Sequence, residues 1–221
     1  MSDPGPTSSR FDLRASTYED SVLQDFLFVP AQQAALQLGR RFLPQAGRIL
    51  DVGCGTGRLL RAARPCYPAA ELVGVDLAGR MVASAIAATP SRLAVRYVQA
   101  RAERQPFPDA CFDLVFATMS LRHWANLPAG IAEAARVLSP PGVIVLGDLF
   151  GSCPRRHPRA PRVRRRRTPA PAELEAVLAC QHLEVAGVAR ARWFGLPDVQ
   201  VLAVQPRCQS RHPQRGRLTS M

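Results

Sequence analysis

A short apolar run at Arg48–Val52 leads directly into three glycines at alternate positions, Gly53, Gly55 and Gly57. A helical pattern begins at the third glycine. Glycine adopts positive φ without strain and lets a ligand approach the backbone closely. The first N–H groups of the following helix have no partner within it, so they can bind polar or anionic atoms. The segment therefore predicts a strand–loop–helix unit of an α/β fold, with a ligand held over the loop.

Short apolar runs and helical patterns alternate along most of the chain. This alternation predicts right-handed βαβ units and one mostly parallel sheet of seven strands, with helices on both faces. The predicted strands are Arg48–Val52, Glu71–Asp76, Ala94–Gln99, Phe112–Thr118, Val143–Asp148, Leu183–Ala191 and Asp198–Val204. The predicted helices after the glycine loop are Gly57–Arg64, Ala78–Ala88, Leu127–Leu138 and Pro171–Cys180.

The length of 221 residues suits one α/β domain with appendages. Apolar residues recur at helical spacing over Tyr18–Phe42, and Pro30 splits this pattern into two helices or one kinked helix. The predicted divisions are a disordered leader at 1–14, one domain at 15–206 with an N-terminal helical cap at 15–46 and an Arg/Pro-rich insertion loop at 151–168, and a disordered tail at 207–221.

All 29 basic residues are arginine, and the formal net charge is +12. Residues 1–150 hold 15 arginines against 13 acids, whereas residues 151–221 hold 14 against 4. The run Arg155–Arg167 could bind RNA phosphates or anionic lipid. The alternative is a solvated loop of a GC-biased sequence, because no aromatic residues are interleaved on which bases could stack. We therefore do not expect a nucleic-acid partner. If the protein does bind RNA, Arg155–Arg167 would be the contact.

Composition excludes several classes of protein. The longest apolar runs, such as Val143–Leu146, are strand-sized, so no transmembrane helix is predicted. Met1–Arg10 lacks the apolar segment of a secretory signal. The six cysteines are scattered without a C-x-x-C pair, which argues against a metal site and favours reduced thiols. We expect a cytoplasmic protein with no metal.

Two aspartates flank the glycine loop in the sequence. Asp76 ends the apolar run that follows, where a carboxylate can accept hydrogen bonds from both hydroxyls of a ribose. Asp51 precedes the first glycine by two residues, and the glycines follow G-x-G-x-G rather than the dinucleotide G-x-G-x-x-G. A carboxylate there would repel a pyrophosphate but suits a cationic or zwitterionic ligand. The amino-acid end and sulfonium of S-adenosylmethionine meet that requirement.

Four ordered markers resemble class I S-adenosylmethionine-dependent methyltransferases: Asp51–Gly57, Gly74–Asp76, Pro106–Asp109 and Phe112–Val115. The resemblance covers about residues 15–205 and is to methyltransferase type 11, the subgroup that includes ubiquinone/menaquinone C-methyltransferases. It implies a Rossmann-like fold with a seven-stranded, mostly parallel sheet, helices on both faces and an N-terminal helical cap. It also implies S-adenosyl-L-methionine as the cofactor.

The resemblance further implies a role for each residue that matches a family position. The three loop glycines would line the methionine portion of the cofactor. Asp51 would lie near its amino group, and Asp76 would bind the ribose hydroxyls. The remaining cofactor contacts would be Leu77 and Met81 flanking the adenine, Ala102 and Glu103 at the adenine edge, Thr118 below the sulfonium, and Tyr18 as part of a lid.

One position departs from the family pattern. Members commonly have Gly-Asp-Ala before the Pro-Phe pair, and the aspartate accepts a hydrogen bond from the adenine amino group. This chain has Ala100, Arg101 and Ala102 there. Since arginine cannot accept a hydrogen bond, the adenine would be recognised by backbone groups or by Glu103.

The catalytic candidate is His123, just past the strand Phe112–Thr118, where ligands of open α/β sheets bind. It would act as a general base if the acceptor arrives protonated; the alternative is that His123 and Trp124 only wall the pocket. The predicted function is methyl transfer to a small-molecule acceptor. An RNA-directed methyltransferase that uses Arg155–Arg167, and a degenerate cofactor-fold binding protein that has lost its chemistry, are the alternatives. The oligomeric state is left open.

Overall fold

The computed structural model describes residues 28–150, 168–191 and 199–207, and within them seven strands form a single sheet. The strands are β1 (Arg48–Val52), β2 (Glu71–Asp76), β3 (Val95–Gln99), β4 (Phe112–Thr118), β5 (Leu138–Asp148), β6 (Leu183–Ala191) and β7 (Val199–Pro206). Their order across the sheet is β3-β2-β1-β4-β5-β7-β6. The first five pair in parallel, and β7 is antiparallel to both of its neighbours. The prediction of a seven-stranded, mostly parallel sheet is confirmed.

Helices cover both faces of the sheet. They are α1 (Val29–Phe42), α2 (Arg58–Ala63), α3 (Gly79–Ala88), α4 (Leu127–Val137) and α5 (Pro171–Cys180). Helices α1 and α2 pack on one face, and α4 and α5 pack on the other. The central strands are therefore apolar on both sides; in β1, Ile49 faces the first core and Leu50 the second, and neither is exposed.

Pro30 does not interrupt a helix in the described part of the cap. It lies in the first turn of α1, where the N–H that proline lacks would have no partner within the helix. Helix α1 then continues unbroken to Phe42. The part of the predicted cap before residue 28 lies outside the described residues.

The largest difference from the sequence prediction is at the start of β5. Strand β5 begins at Leu138 rather than Val143, because Leu138 pairs with Phe112 before a register shift in β4. The Asp113 carboxylate stabilises this region: Oδ2 accepts hydrogen bonds from the N–H groups of Gly47 and Arg48, both at 2.8 Å, and Oδ1 accepts one from Ser139 at 3.0 Å. Ser139-Pro140-Pro141-Gly142 is consequently part of a strand, not only a turn.

Several predictions fall on residues that the structure does not describe. They are Tyr18, the leader 1–14, the tail from residue 208, and the insertion up to residue 167, with Arg155–Arg167 inside it. None of the described helices has the length and apolar character needed to cross a membrane. The described residues also include no group of three or more His, Cys, Asp or Glu side chains placed to hold a metal ion.

Candidate functional site

The glycine loop lies at the carboxyl end of β1, between β2 and β4. The strand order changes direction at this point, so a crevice opens there in an α/β sheet. The N–H groups of Gly53 and Cys54 both donate to the carbonyl oxygen of Val75, at 2.8 and 3.0 Å. The loop is thereby fastened to the end of β2.

Each glycine of the loop has positive φ: +77° at Gly53, +53° at Gly55 and +78° at Gly57. A Cβ on Gly53 would lie 2.5 Å from that of Ser120, and a Cβ on Gly57 would overlap the phenol ring of Tyr97. A Cβ on Gly55 would meet no atom within 4 Å. The outer glycines are therefore needed for packing as well as for φ, and Gly55 is the one that faces open space.

Asp76 is held in place by the loop that it faces. Its Oδ2 accepts a hydrogen bond from the Gly55 N–H at 2.9 Å, and its Oδ1 accepts one from the Ala78 N–H at 2.9 Å. These two bonds orient the side chain beside Gly55, where the sequence predicts a contact with the ribose hydroxyls.

Asp51 is the most perturbed carboxyl of the loop region. Its side chain is 2% exposed, and within the described part of the chain no group donates a hydrogen bond to Oδ1. Burial, assisted by the charge of Asp76, raises the pKa of Asp51 to about 8. A buried carboxyl oxygen without a donor suits a ligand that brings one, such as the amino group of S-adenosylmethionine. The residues at this position therefore fit the cofactor that the sequence implies.

Cys54 lies inside the loop but has the character of a packing residue. Its thiol is buried, and burial together with the charges of Asp51 and Asp76 raises the pKa well above its ordinary value. A thiol kept protonated in this way is a poor nucleophile. Its sulfur would lie 2.8 Å from a Cβ on Gly74, so it fills the space between the loop and β2.

Among the residues predicted at the adenine, Leu77 and Met81 lie near the start of α3, whereas Glu103 contacts the segment before α4. Met81 is 2% exposed in the first turn of α3, and the Leu77 carbonyl accepts a hydrogen bond from Gln99 at 3.0 Å. Glu103 Oε1 accepts hydrogen bonds from the backbone N–H groups of Ala125 and Asn126, at 2.5 and 3.0 Å. The carboxylate of Glu103 therefore anchors the segment before α4, and its predicted contact with the adenine remains a prediction.

Arg101, the residue that departs from the family pattern, lies close to Glu103. Its Nε is 3.7 Å from Glu103 Oε2, and its side chain is 53% exposed. Ala100 donates its N–H to the Asp76 carbonyl at 3.0 Å, which continues the pairing of β2 with β3. Although Arg101 departs from the family pattern, the backbone next to it therefore remains paired with β2.

The end of β4 is joined to the glycine loop through Ser120, whose hydroxyl donates to the carbonyl of Val52 at 2.9 Å. Thr118 is 8% exposed at the last position of β4. His123 lies one turn further on, in the 3₁₀ turn Leu121–His123, and its N–H donates to the Ser120 carbonyl at 2.8 Å. The turn carrying His123 is thus connected through Ser120 to the start of the glycine loop, and the role of His123 as a base stays a prediction.

Sequence reasoning missed the ion pair between Arg122 and Asp148. Arg122 Nη1 donates to Asp148 Oδ1 at 2.7 Å, and the Asp148 side chain is completely buried at the carboxyl end of β5. Burial raises the pKa of Asp148, an effect that the Arg122 charge opposes. The signal was present, because a carboxylate that ends an apolar strand is the same feature that identified Asp76.

The sheet order and the glycine loop at the reversal between β1 and β4 define this chain as a class I methyltransferase fold. Residues 50–146 match the family model of the methyltransferase domain, Methyltransf_11. Over these residues the chain is similar to this family of methyltransferase domains.

Two curated relatives illustrate the match. A demethylmenaquinone methyltransferase of Thermus thermophilus is 40% identical over 100 residues, 45% of this chain and 46% of the relative. A malonyl-[acyl-carrier protein] O-methyltransferase of Halorhodospira halophila is 33% identical over 145 residues, 64% of this chain and 46% of the relative. The chain thus spans about half the length of the curated relatives it matches.

Solved structures share the fold at low identity. A methyltransferase in complex with the Trm112 activator of Haloferax volcanii has a TM-score of 0.73 and 19% identity, over 89% of this chain and 98% of that one. The magnesium protoporphyrin IX methyltransferase of Synechocystis, solved with bound S-adenosylhomocysteine, has a TM-score of 0.68 and 16% identity, over 85% of this chain and 88% of that one.

Proposed function

We propose that the protein is an S-adenosylmethionine-dependent methyltransferase that acts on a small-molecule acceptor in the cytoplasm. The observation that carries this proposal is the buried Asp51 carboxyl, which has an oxygen without a described donor and precedes a loop that is open at Gly55. Two relatives are named for the methylation of demethylmenaquinone and of malonyl-[acyl-carrier protein], and neither acceptor is RNA, which favours the small-molecule reading.

The proposed mechanism assigns binding and orientation to the chain. S-Adenosylmethionine supplies an electrophilic methyl group with a neutral leaving group, so positioning provides most of the acceleration. Asp51 binds the amino group, Gly55 lets the ligand approach the backbone, and Asp76 accepts hydrogen bonds from the ribose. The three loop glycines would line the methionine portion, and the resemblance implies that Tyr18, which is outside the described residues, contributes to a lid.

The end of β4 completes the proposed site. Thr118 would hold the cofactor near its sulfonium, and His123 would accept the proton of an acceptor that arrives protonated. Leu77 and Met81 would hold the adenine, with Ala102 and Glu103 at its edge.

Titration calorimetry with S-adenosylhomocysteine and S-adenosylmethionine tests the proposal, with NADH as the comparison ligand. We expect micromolar binding of the first two and none of NADH, because the glycines of this loop lack the G-x-G-x-x-G spacing of pyrophosphate-binding loops. The Asp76→Ala variant should lose binding by tenfold or more, and the matched control Glu175→Gln, which removes an exposed carboxylate on α5, should bind normally. Absence of binding to the unaltered protein would refute the proposal and favour a degenerate binding fold.

A further inference from the structure

The purine of the proposed cofactor has a defined direction along the carboxyl edge of the sheet. From the centre outwards, the strands on this side are β1, β2 and β3. Asp51 lies in β1 and Asp76 ends β2, so a nucleoside with its amino-acid end at Asp51 and its ribose at Asp76 would extend towards the end of β3. Beyond that end, the pairing of Arg101 with Arg104 closes a tight turn at residues 101–104, which we call the base-edge turn.

The hydrogen-bond acceptors of the base-edge turn already have partners. The carbonyl of Arg101 accepts the Arg104 N–H at 3.2 Å. The carbonyl of Ala102 accepts a hydrogen bond from Gln105 Nε2, also at 3.2 Å. Glu103 Oε1 accepts two backbone N–H groups of the segment before α4, and Glu103 Oε2 lies 3.7 Å from Arg101 Nε in a contact between opposite charges. An amino group of the purine at this turn would therefore compete with interactions that the chain already makes.

The side chain of Arg101 is the exposed member of the base-edge turn. It is 53% exposed, whereas the side chain of Glu103 is 15% exposed, and the 3.7 Å contact between them is longer than a hydrogen bond. A guanidinium has donors only, so it cannot accept a hydrogen from an amino group. Its apolar stem can cover a hydrocarbon group while the charge stays in water. The turn is therefore poorly suited to recognise amino hydrogens and well suited to accommodate a substituent in their place.

We propose that this chain does not select the amino group at position 6 of the purine, and that its cofactor site also takes S-adenosyl ligands whose 6-amino group carries alkyl or arylmethyl substituents. Arg101 is the specificity-determining residue, because it places a donor where an acceptor is needed to recognise the amino hydrogens. The inference rests on the proposed function, whose cofactor site it specifies. A substituent at position 6 leaves the contacts of Asp51 and Asp76 unchanged, since these residues bind other parts of the ligand.

Calorimetry with three ligands and the purified full chain tests the proposal: S-adenosylhomocysteine, its 6-dimethylamino analogue and its 6-benzylamino analogue. The dimethylamino group has no hydrogen to donate, and the benzylamino group needs room at the edge of the site. We expect both analogues to bind within about threefold of S-adenosylhomocysteine. A tenfold weaker affinity for the dimethylamino analogue would show that an acceptor recognises the amino group, and the same loss for the benzylamino analogue would show that the edge is closed; either result overturns the proposal.

Variants of Arg101 test its role. Arg101→Asn supplies a side-chain oxygen and an amide N–H, the combination that binds the 6-amino group and the ring nitrogen at position 7 of adenine. It should create a preference of about fivefold or more for S-adenosylhomocysteine over the dimethylamino analogue. Arg101→Ala adds no acceptor and should leave the three ligands within about threefold of one another. The matched control Arg104→Asn, which removes an exposed arginine from the same turn, should also create no preference.

The same titrations separate this inference from the proposed function. If Arg101→Asn binds S-adenosylhomocysteine and still shows no preference over the dimethylamino analogue, position 6 of the purine does not lie at Arg101 and the inference is wrong. Binding of S-adenosylhomocysteine to the unaltered protein with exclusion of the two analogues refutes the inference alone. Absence of S-adenosylhomocysteine binding refutes the proposed function, and the inference with it.

Discussion

Replacing Asp51 by asparagine should change how the stability of the protein depends on pH. The substitution keeps the shape of the side chain and removes its ionisation. In the folded protein the pKa of Asp51 is about 8, compared with an ordinary value of 3.8. The folded state therefore keeps the proton of Asp51 over a pH range in which the unfolded chain has released it.

The sign of the effect follows from this difference in proton affinity. Below pH 4 the carboxyl is protonated in both states and has no effect on the free energy of unfolding. Between the two pKa values, each unit rise in pH lowers that free energy by about 1.4 kcal/mol. From pH 5 to pH 7 the contribution of Asp51 amounts to about 3 kcal/mol, and the loss is complete above pH 8.

Urea denaturation at pH 5, 6, 7 and 8 measures this contribution. With an m-value of about 2 kcal/mol per molar urea, the midpoint of Asp51→Asn should gain about 1.5 M on that of the unaltered protein between pH 5 and pH 7. Asp148, whose pKa burial also raises, is present in both proteins, so the difference isolates Asp51. In Glu175→Gln, which removes an exposed carboxylate, the urea midpoint should change with pH as it does in the unaltered protein. Parallel curves for Asp51→Asn as well would show that Asp51 is already ionised in the fold, and the argument from its burial would fail.

Three further outcomes are expected at the same loop and its supports. Binding of S-adenosylhomocysteine at pH 6.5 should release a proton from Asp51, because the ligand's ammonium group stabilises the carboxylate. The calorimetric binding enthalpy should then vary with the ionisation enthalpy of the buffer. In Asp51→Asn this variation should disappear. Gly55→Ala should lower the free energy of unfolding by only about 1–2 kcal/mol, because of its positive φ, yet weaken S-adenosylhomocysteine binding at least tenfold. Gly57→Ala should lower the free energy of unfolding by about 2–4 kcal/mol, because Tyr97 must also move. Urea midpoints and calorimetry distinguish the two variants. Asp113→Ala removes three hydrogen bonds and should lower the unfolding free energy by about 2–4 kcal/mol without changing the affinity of the folded protein for S-adenosylhomocysteine, and a tenfold loss of affinity would contradict that separation.

The strands could be predicted from sequence because each buried strand is an apolar run with clear ends. The start of β5 could not, since Pro140-Pro141-Gly142 is typical of a turn and joins the strand only through pairing across a register shift in β4. That pairing depends on contacts between residues far apart in the sequence. A local pattern contains no information about them.

The candidate site could likewise be predicted only where local sequence determines it. Asp51 and Asp76 were found because each has a fixed place relative to a strand end. The partner of Glu103 was not found, because the N–H groups that it binds lie 22 and 23 residues further along the chain. The packing of Ser120 and Tyr97 against the glycines was missed for the same reason: spacing shows that glycine is required but not which side chain excludes a Cβ.

The two aspartates of the loop are the same residue type in opposite states, and the backbone is what separates them. Asp76 accepts N–H groups from Gly55 and Ala78, so its charge is stabilised without a ligand. Asp51 receives no donor at Oδ1 from the described residues, and the charge of Asp76 opposes its ionisation further. A cationic amino group at Asp51 would relieve both effects, because it supplies the missing donor and offsets the charge of Asp76. The free energy that keeps Asp51 neutral therefore favours a ligand that arrives with a positive charge, and for the same reason the stabilisation of the fold by such a ligand should increase from pH 5 towards pH 8.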